Sequence, residues 1–492
     1  MGTTKGSLIA LAGAAVIATC LFSATANAQS EEAARRAAVL KHWTADRRAA
    51  AQPRDLVIDH RGLGYLRRQD GTLSPHGHQI KAENSNVVPN AKPGGGSDSS
   101  PPTISNLDPS GITIGDSYLF SATVTDASGV RSVTFVVTYP DGTTTQSFSA
   151  SNSSGDTWSS TLSGFTNGNW TWHVEATDSS KGRGNRATSD ATSFTVDTAG
   201  GGGGGGGGGS GDTITNAEWT SGGDVQTAVG RLFYEMPSNP KLRRWAGYVC
   251  SGTVVTDGAT GRSVILTASH CVYDDANKAF ARNVLFIPDQ ANTTGSGTDG
   301  NCANDPIGCW VADFGVVDTN WTTRSFPDNI SWDYAFYVVS DSGAHQAGQN
   351  NASDVLDSAT PAMSIDFTTP SVDDGSAGAG TPDFTYGMGY SYSNDPDFMY
   401  CAEDMTTEGA ANWWLPSCDL SGGSSGGPWL QPPQGGSGPI ISVNSWGYTT
   451  SPGMAGPKLN GTSAQCVLDA AIINSFPSNP ADGEAGYAVS CP

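Results

Sequence analysis

The sequence predicts a mainly β protein of more than one domain, and three features of its 492 residues support this. Short runs of β-branched and aromatic residues, separated by turn residues, recur through most of the chain. Helical patterns are confined to the two ends. Stretches rich in Gly, Pro and Ser divide the chain, which is too long for one typical domain. We therefore expect two or three domains.

The N-terminus has the pattern of a secretory signal peptide over residues 1–28. Lys5 precedes an apolar run from Leu8 to Phe22, and the small-x-small pattern of signal-peptidase sites follows at residues 26–28. Cys20 leaves a lipoprotein anchor open as an alternative. No later apolar run approaches the ~20 residues that span a bilayer. We expect a secreted, extracellular or periplasmic protein with no membrane contact after the signal is removed.

Charge is distributed unevenly along the chain. Residues 29–98 contain 11 Lys and Arg against 8 Asp and Glu, whereas residues 99–492 contain 13 against 39. Such an acidic main body makes nucleic acid an unfavourable partner, and it favours an attraction between the two parts.

Residues 29–98 are predicted to form a small N-terminal unit. A helical pattern rich in Ala and Arg runs from Glu31 to Ala51, and strand patterns follow at Asp55–Asp59 and Gly64–Leu66. Two interpretations remain open. The unit is either a variable extension or the propeptide of a zymogen, whose basic face covers or templates the acidic remainder.

Residues 99–198 are predicted to form a β-sandwich, after a Pro- and Ser-rich linker at residues 93–102. The stretch from Ala122 to Asp126 resembles the bacterial immunoglobulin-like modules that are appended to secreted enzymes. A surface or polysaccharide ligand of this module stays open, since a sandwich says little about function. The strand patterns are Tyr118–Val124, Val133–Val137, Trp170–Ala176 and Phe194–Val196.

Aromatic residues of the predicted sandwich have two interpretations. Trp158, Trp170 and Trp172 form either its core or a sugar-stacking surface, and we expect core packing. A linker at residues 199–211, which contains ten consecutive glycines, then joins the sandwich to the rest of the chain.

The cysteines predict disulfide bonds. Without Cys20 eight remain, all beyond residue 249, and an even number in an exported chain favours disulfides. Metal binding is the rival, but neither a C-x-x-C pair nor clustered histidines support it, so we expect no metal. Of the 105 connectivities that eight cysteines allow, we expect sequential pairing: Cys250 with Cys271, Cys302 with Cys309, Cys401 with Cys418, and Cys466 with Cys491.

A serine between glycines, at Gly423–Gly427, is the strongest chemical signal. It fits an exposed nucleophile, the G-x-S-x-G elbow of α/β-hydrolases, or a linker. No histidine follows Ser425, which excludes the elbow's order of Ser, Asp and His. His270 ends a hydrophobic strand pattern and is the candidate base. The other candidates lie in polar loops and are expected to be solvated: His76, His78 and His345.

Four motifs in order resemble the chymotrypsin-like serine peptidases, in particular the bacterial secreted ones. They are Thr267–Cys271, Asp333–Phe336, Gly423–Pro428 and Ser445–Gly447. The resemblance covers residues 212–492. It implies a two-barrel trypsin-like peptidase domain, so the whole chain would be mainly β, with this domain preceded by an immunoglobulin-like β-sandwich and a small N-terminal pro-region.

The resemblance also implies residue roles. His270 would be the general base, Asp333 would orient it, and Ser425 would attack the peptide carbonyl of a protein or peptide substrate, without a cofactor. The N–H groups of Gly423 and Ser425 would form the oxyanion hole. Ser445, Trp446 and Gly447 would line the substrate cleft. Three other aspartates are rivals of Asp333, but we expect none of them to sit inside an apolar strand as Asp333 does: Asp313, Asp318 and Asp328.

The chain departs from the family at two positions near the nucleophile. Ser424 replaces an aspartate that receives a new N-terminal amine, which implies control by the propeptide or by secretion instead. Ser421 replaces a cysteine that braces the specificity pocket. Asp419 lies six residues before Ser425, where a carboxylate would favour Arg or Lys side chains, or would only brace the loop.

Three further alternatives remain. The chain is an adhesion protein with an inert peptidase fold, or an esterase on the same fold. The acidic stretches at residues 299–305 and 395–404 are either solvated loops or calcium sites. We expect solvated loops, because no twelve-residue calcium loop pattern is present.

Overall fold

The computed structural model describes most of the chain, and the predicted signal peptide, His78, residues 93–99 of the predicted linker and the glycine tract lie outside its described residues. Among the described residues, no helix is long and apolar enough to cross a membrane. The described ranges are 33–59, 62–77, 100–110, 113–114, 117–154, 156–163, 165–180, 184–196, 213–341, 345–350, 353–372, 378–392, 395–431, 436–449, 451–473 and 485–491.

The N-terminal unit contains two helices where the sequence predicted one. Helix α1 spans residues 33–42, and α2 spans Ala45–Ala50. Thr44 between them is extended and begins α2, a position that favours Thr. The break turns Trp43 into an apolar cluster of the main body. Four short strands follow: β1 (Gln52–Pro53), β2 (Asp55–Ile58), β3 (Gly64–Arg67) and β4 (Leu73–Pro75).

The predicted sandwich region forms a nine-stranded sheet that folds over a single apolar cluster. Phe120 of one half contacts Trp172 of the other with ring centroids 4.9 Å apart. Trp170 and Trp172 are buried and Trp158 packs against the cluster, as expected for core residues. The strands are β5 (Thr103–Asp108), β6 (Thr113–Ile114), β7 (Ser117–Thr125), β8 (Val130–Thr138), β9 (Thr145–Ser154), β10 (Thr157–Ser163), β11 (Gly168–Asp178), β12 (Arg186–Thr188) and β13 (Thr192–Val196).

The remainder of the chain is again mainly β. Its strands are β14 (Ile214–Glu218), β15 (Val229–Pro237), β16 (Trp245–Val255), β17 (Arg262–Thr267), β18 (Tyr273–Asp274), β19 (Ala279–Phe280), β20 (Arg282–Pro288), β21 (Gly308–Val311), β22 (Phe314–Asp318), β23 (Ala335–Ser340), β24 (His345–Ala347), β25 (Phe384–Gly389), β26 (Met399–Asp404), β27 (Thr406–Glu408), β28 (Asn412–Leu415), β29 (Pro428–Leu430), β30 (Ile440–Val443), β31 (Trp446–Tyr448), β32 (Met454–Pro457) and β33 (Ala485–Val489). Its helices are α3 (Asp224–Ala228), α4 (Thr319–Thr323), α5 (Leu356–Ala359) and α6 (Ala464–Ile473).

These strands form two units, which agrees with the predicted two-barrel layout. The first unit is a ten-stranded sheet in the order β24-β21-β20-β15-β16-β17-β23-β22-β33, to which β1 adds at β16. The second unit has a five-stranded sheet, β14-β26-β25-β29-β30, and a seven-stranded sheet, β27-β28-β32-β31-β2-β3-β4. Strand β17 lies inside the sheet of the first unit, between β16 and β23. As expected for an inner strand, its residues Val264, Ile265 and Leu266 are all fully buried.

The N-terminal unit is bound to both of these units. Strand β1 pairs in parallel with β16, and β2 pairs in parallel with β31. Trp43 is buried against Phe233, Val249 and Leu285. Such contacts explain why a small segment with few apolar residues of its own has a fixed structure.

A buried ion pair and a histidine–carboxylate contact join the basic N-terminal unit to the acidic remainder. Arg36 donates to both carboxylate oxygens of Asp313 at 3.0 Å, and both side chains are nearly fully buried. His42 lies 3.1 Å from Glu235. The attraction that the charge distribution predicted is therefore present as specific contacts.

The four disulfides follow the sequential pairing that the sequence predicted: Cys250–Cys271, Cys302–Cys309, Cys401–Cys418 and Cys466–Cys491. Each closes a short loop within the two units. Loops of this size stabilise a fold by about 2–4 kcal/mol each.

Two of the histidines expected to be solvated are not. His76 is buried, with its Nε2 2.7 Å from a carboxylate oxygen of Asp275. His345 begins β24, and its ring stacks on Trp310 at a centroid distance of 4.0 Å. Both corrections have the same cause, because the partners lie far away in sequence and leave no local signal.

Trp43→Ala should release the N-terminal unit. Removing a buried tryptophan costs about 3–5 kcal/mol, and here that loss falls on the docking of residues 33–59. We expect an added protease to cleave this range faster in the variant than in wild type. Lys41→Ala, at an exposed position of α1 two residues before Trp43, is the matched control, and equal cleavage rates in the two variants would contradict the role of Trp43.

Candidate active site

His270 and Asp333 are brought together by a strand pair of the first unit. Strand β17 ends at Thr267, which pairs with Ala335 at the start of β23. A 3-10 helix, Ser269–Cys271, follows β17 directly, and Asp333 directly precedes the loop into β23. The side chain of Ser269 donates to the carbonyls on both sides of Asp333, at 2.9 and 2.7 Å.

Asp333 accepts three hydrogen bonds. One carboxylate oxygen accepts the backbone N–H of His270 at 2.8 Å, and the other lies 2.7 Å from its Nδ1. Ser445 donates its hydroxyl to that second oxygen at 2.5 Å. All three residues are buried. This arrangement fixes the imidazole with its Nδ1 proton toward Asp333, which leaves Nε2 as the basic nitrogen.

The Nε2 atom of His270 is buried and has no hydrogen-bond partner among the described residues. Such a buried, unpaired nitrogen is uncommon in proteins and is typical of functional sites. The atom is therefore available to take a proton from a hydroxyl placed beside it.

The loop that carries Ser425 is fastened to the first unit by Ser251 of β16. The N–H of Ser251 donates to the carbonyl of Ser425 at 2.7 Å, and its hydroxyl donates to the carbonyl of Gly423 at 3.0 Å. Cys271, next to His270, has its sulfur 3.9 Å from the same Ser425 carbonyl. The loop that carries the candidate nucleophile thus lies at the junction of the two units, in contact with the residue that follows the candidate base.

Glycines of this loop are required by space and conformation. Gly426 has φ +79°, and a Cβ there would lie 2.1 Å from the hydroxyl oxygen of Thr267. Gly423 has φ +96°. Within the described residues, the N–H groups of Gly423 and Ser425 donate no hydrogen bond, so both are available to an acceptor bound beside the loop.

The other predicted cleft residues lie beside this loop. Trp446 and Gly447 are on β31, whose outer edge is paired with β2. Asp419 is exposed and lines a cavity of about 440 Å³ together with Gly447, Tyr448 and Gly453. The residue as a whole is exposed, but the surrounding loops withdraw its carboxyl group partly from water, which raises the pKa of Asp419; the positive charge of Arg67, which lines the same cavity, lowers that pKa.

The rival aspartates lie elsewhere. Asp313 is bound by Arg36, Asp318 caps α4 through the N–H of Asn320, and Asp328 is exposed. Among the described residues, two groups have atoms close enough to share a metal ion, and each consists largely of a disulfide. Disulfide sulfurs are not thiolates, so neither group is a metal site. The groups are Cys250, His270 and Cys271, and Cys302, Asp305 and Cys309.

The N-terminal unit covers the site. A Cβ on Gly422 would lie 2.6 Å from Pro53 and 2.8 Å from Asp55, so β1 and β2 run directly over the loop before Ser425. Burial raises the pKa of Asp55, while the charges of Arg67 and His270 lower it. Sequence reasoning missed this contact and the role of Ser251, because neither has a local motif.

The solved structures that are similar to this chain include two proteases, both of low similarity. The protease Anisep from Arthrobacter nicotinovorans is 26% identical with a TM-score of 0.38, over 50% of this chain and 96% of its own. The thermostable serine protease AL20 from an extremophilic microorganism is 25% identical with a TM-score of 0.38, over 51% of this chain and 99% of its own. No family model and no curated protein matches the chain.

Glu403→Gln should change the pH dependence of stability. Burial raises the pKa of Glu403 to about 7, although its carboxylate accepts the N–H of Ser417. The protonated form therefore contributes stability that is complete below pH ~4.5 and is lost as the pH rises through ~7. We expect the variant to have a higher melting temperature than wild type at pH ~8 and a flatter profile from pH ~5 to ~8. The exposed Glu218→Gln should follow wild type, and a wild-type profile in Glu403→Gln would contradict the assignment.

Proposed function

We propose that the chain is a secreted serine endopeptidase of the chymotrypsin-like type. The observation that carries this proposal is the double contact of Asp333 with the N–H and Nδ1 of His270, next to a Ser425 loop with two free N–H groups. The four sequence motifs that resemble this family also support the proposal, because three of them contain His270, Asp333 and Ser425. The cysteines are paired in disulfides and the N-terminus reads as a signal peptide, which supports export.

The residues support an acyl-enzyme mechanism. Nε2 of His270 takes the proton of Ser425 as its oxygen attacks the peptide carbonyl, and Asp333 stabilises the imidazolium that forms. The N–H groups of Gly423 and Ser425 bind the oxyanion. His270 then gives its proton to the leaving amine, and water cleaves the ester by the same steps in reverse order.

Residues 29–98 act as the propeptide in this proposal. Strand β2 occupies the outer edge of β31, where an extended substrate would otherwise pair, and Pro53 and Asp55 cover the loop before Ser425. The full chain is then a zymogen, which needs no new N-terminal amine and so agrees with Ser424 in place of an aspartate.

A preference for Arg or Lys is the finer part of the proposal. Asp419 lines a cavity beside Gly447, and Arg67 of the propeptide contributes a basic side chain to that cavity.

The sandwich is proposed as an immunoglobulin-like accessory module for a surface or polysaccharide ligand. Its buried Trp170 and Trp172 leave only Trp158 of the three for stacking on a sugar.

A serine-directed phosphonate should label Ser425. We expect mass spectrometry to find the label on this residue, slowly in the full chain and faster once the N-terminal unit is cleaved off. Ser425→Ala should take no label, whereas Ser424→Ala, its neighbour in the same loop, should still be labelled. Folded, cleaved protein without label at Ser425 would support the adhesion alternative instead.

Asp419→Asn should alter specificity rather than chemistry. If Asp419 binds the substrate's basic side chain, kcat/KM for an Arg peptide falls about 10²-fold or more, because a charge-assisted bond is lost. A peptide with Leu in place of that Arg is the control, because its kcat/KM depends on the structure of the loop but not on a charge contact with Asp419. Equal losses on both peptides would show that Asp419 only braces the loop, and activity on simple esters but not peptides would favour an esterase.

A further inference from the structure

The segment Gln52–Ile58 runs along the whole cleft. At one end β1 pairs with Tyr248 and Val249 of β16, and at the other β2 pairs with β31. A peptide bound across Ser425 would therefore contact β31 on one side of its cleaved bond and Tyr248 on the other.

Arg54 of this segment points into the protein and is 1% exposed. Its Nη2 lies 3.6 Å from a carboxylate oxygen of Asp274 and 3.7 Å from one of Asp275. The guanidinium carbon is 6.0 Å from the centre of the Tyr248 ring. None of the three guanidinium nitrogens has a hydrogen-bond partner among the described residues. The pocket therefore recognises the charge of Arg54 and the face of its guanidinium, not the fork of donors that distinguishes Arg from Lys.

The walls of the pocket do not depend on Arg54 for their position. Asp275 accepts the N–H of Phe326 at 2.7 Å, and Asp274 accepts the N–H groups of Ala276 and Asn277 at 3.0 and 2.8 Å. These bonds are local to the first unit. The two carboxylates would keep their places when the N-terminal unit leaves.

Two side chains of the N-terminal unit, Arg54 and His76, contact these buried carboxylates. Burial raises the pKa of Asp275, but the contact with His76, the charge of Arg54 and the N–H of Phe326 outweigh burial and hold that pKa well below its ordinary value. Release of the unit removes both partners at once. The two carboxylates then keep their local backbone hydrogen bonds but lose the positive charge beside them, so the empty pocket favours a new cation.

We propose that Asp274 and Asp275 form a recognition site for a basic side chain in the cleft, separate from the cavity at Asp419. Arg54 fills it in the full chain. After release, an Arg or Lys on the Tyr248 side of the cleaved bond fills it, and this second statement rests on the proposed peptidase function.

Hydrogen exchange in the full chain tests the site without catalysis. In a Ser425→Ala background, Arg54→Ala should speed exchange of the amides in Leu56–Ile58 and Trp446–Tyr448 by about tenfold or more, because a buried charge contact is lost. Arg54→Lys should stay within about threefold of the parent. Arg68→Ala, an exposed arginine of the same unit, is the control, and equal exchange in Arg54→Ala and Arg68→Ala would overturn the site.

A double mutant separates the pocket from general loosening. In the double variant of Asp274→Asn and Arg54→Ala, the same amides should exchange no faster than in Arg54→Ala alone. The reason is that each substitution removes the same interaction, between Arg54 and Asp274. Additive effects of the two substitutions would overturn the assignment of Asp274.

Cleavage of paired peptides tests the substrate statement. The peptides differ only in Arg, Lys or Ala at each position on the two sides of the cleaved bond. We expect Arg and Lys at one position on the Tyr248 side to raise kcat/KM about tenfold, and Asp274→Asn to bring the ratio of the Arg to the Ala peptide to about one. Cleavage without this gain would overturn the substrate statement. The expected exchange effects without any cleavage or phosphonate label would refute the peptidase proposal and support the basic site.

Discussion

The carboxylate of Asp333 is the contact on which the arrangement of the two units depends. His270 reaches it from the first unit through both its backbone and its ring, and Ser445 reaches it from the second unit. A single buried acceptor therefore fixes the imidazole and the start of β31 together. Ser251 makes the reverse connection, from the first unit to the loop of the second. A charge buried in this way is tolerated because each of its partners donates to it.

Much of this could be predicted from the sequence, because its signals are local. Val264–Leu266 reads as a buried strand, His270 follows it directly, and the loop glycines are dictated by positive φ and close contacts. The even number of cysteines likewise predicted disulfide bonds, and the sequential pairing that we expected among them is the one that the structure has. The domain boundaries remain predictions. The catalytic roles also remain predictions, and the phosphonate label and the substrate variants test them.

Contacts between distant parts of the chain could not be predicted residue by residue. Net charge indicated that the N-terminal unit and the main body attract each other, but not that Arg36 binds Asp313 or that His76 binds Asp275. Nor does a four-residue strand such as β2 carry information about which of many edges it will join. Edge pairing is decided by backbone groups that every residue has, so its partner is set by the rest of the fold.

The parallel pairing of β2 with β31 would determine when the cleft of the proposed peptidase becomes accessible to substrate. While both strands belong to one chain, the cleft is covered at a high effective concentration that does not depend on how much protein is present. A single cut between Gly77 and Ile214 would make the cover a separate molecule. Its occupancy would then depend on protein concentration, so for the proposed peptidase the cleft of the cut protein would stay covered when the protein is concentrated and would open on dilution.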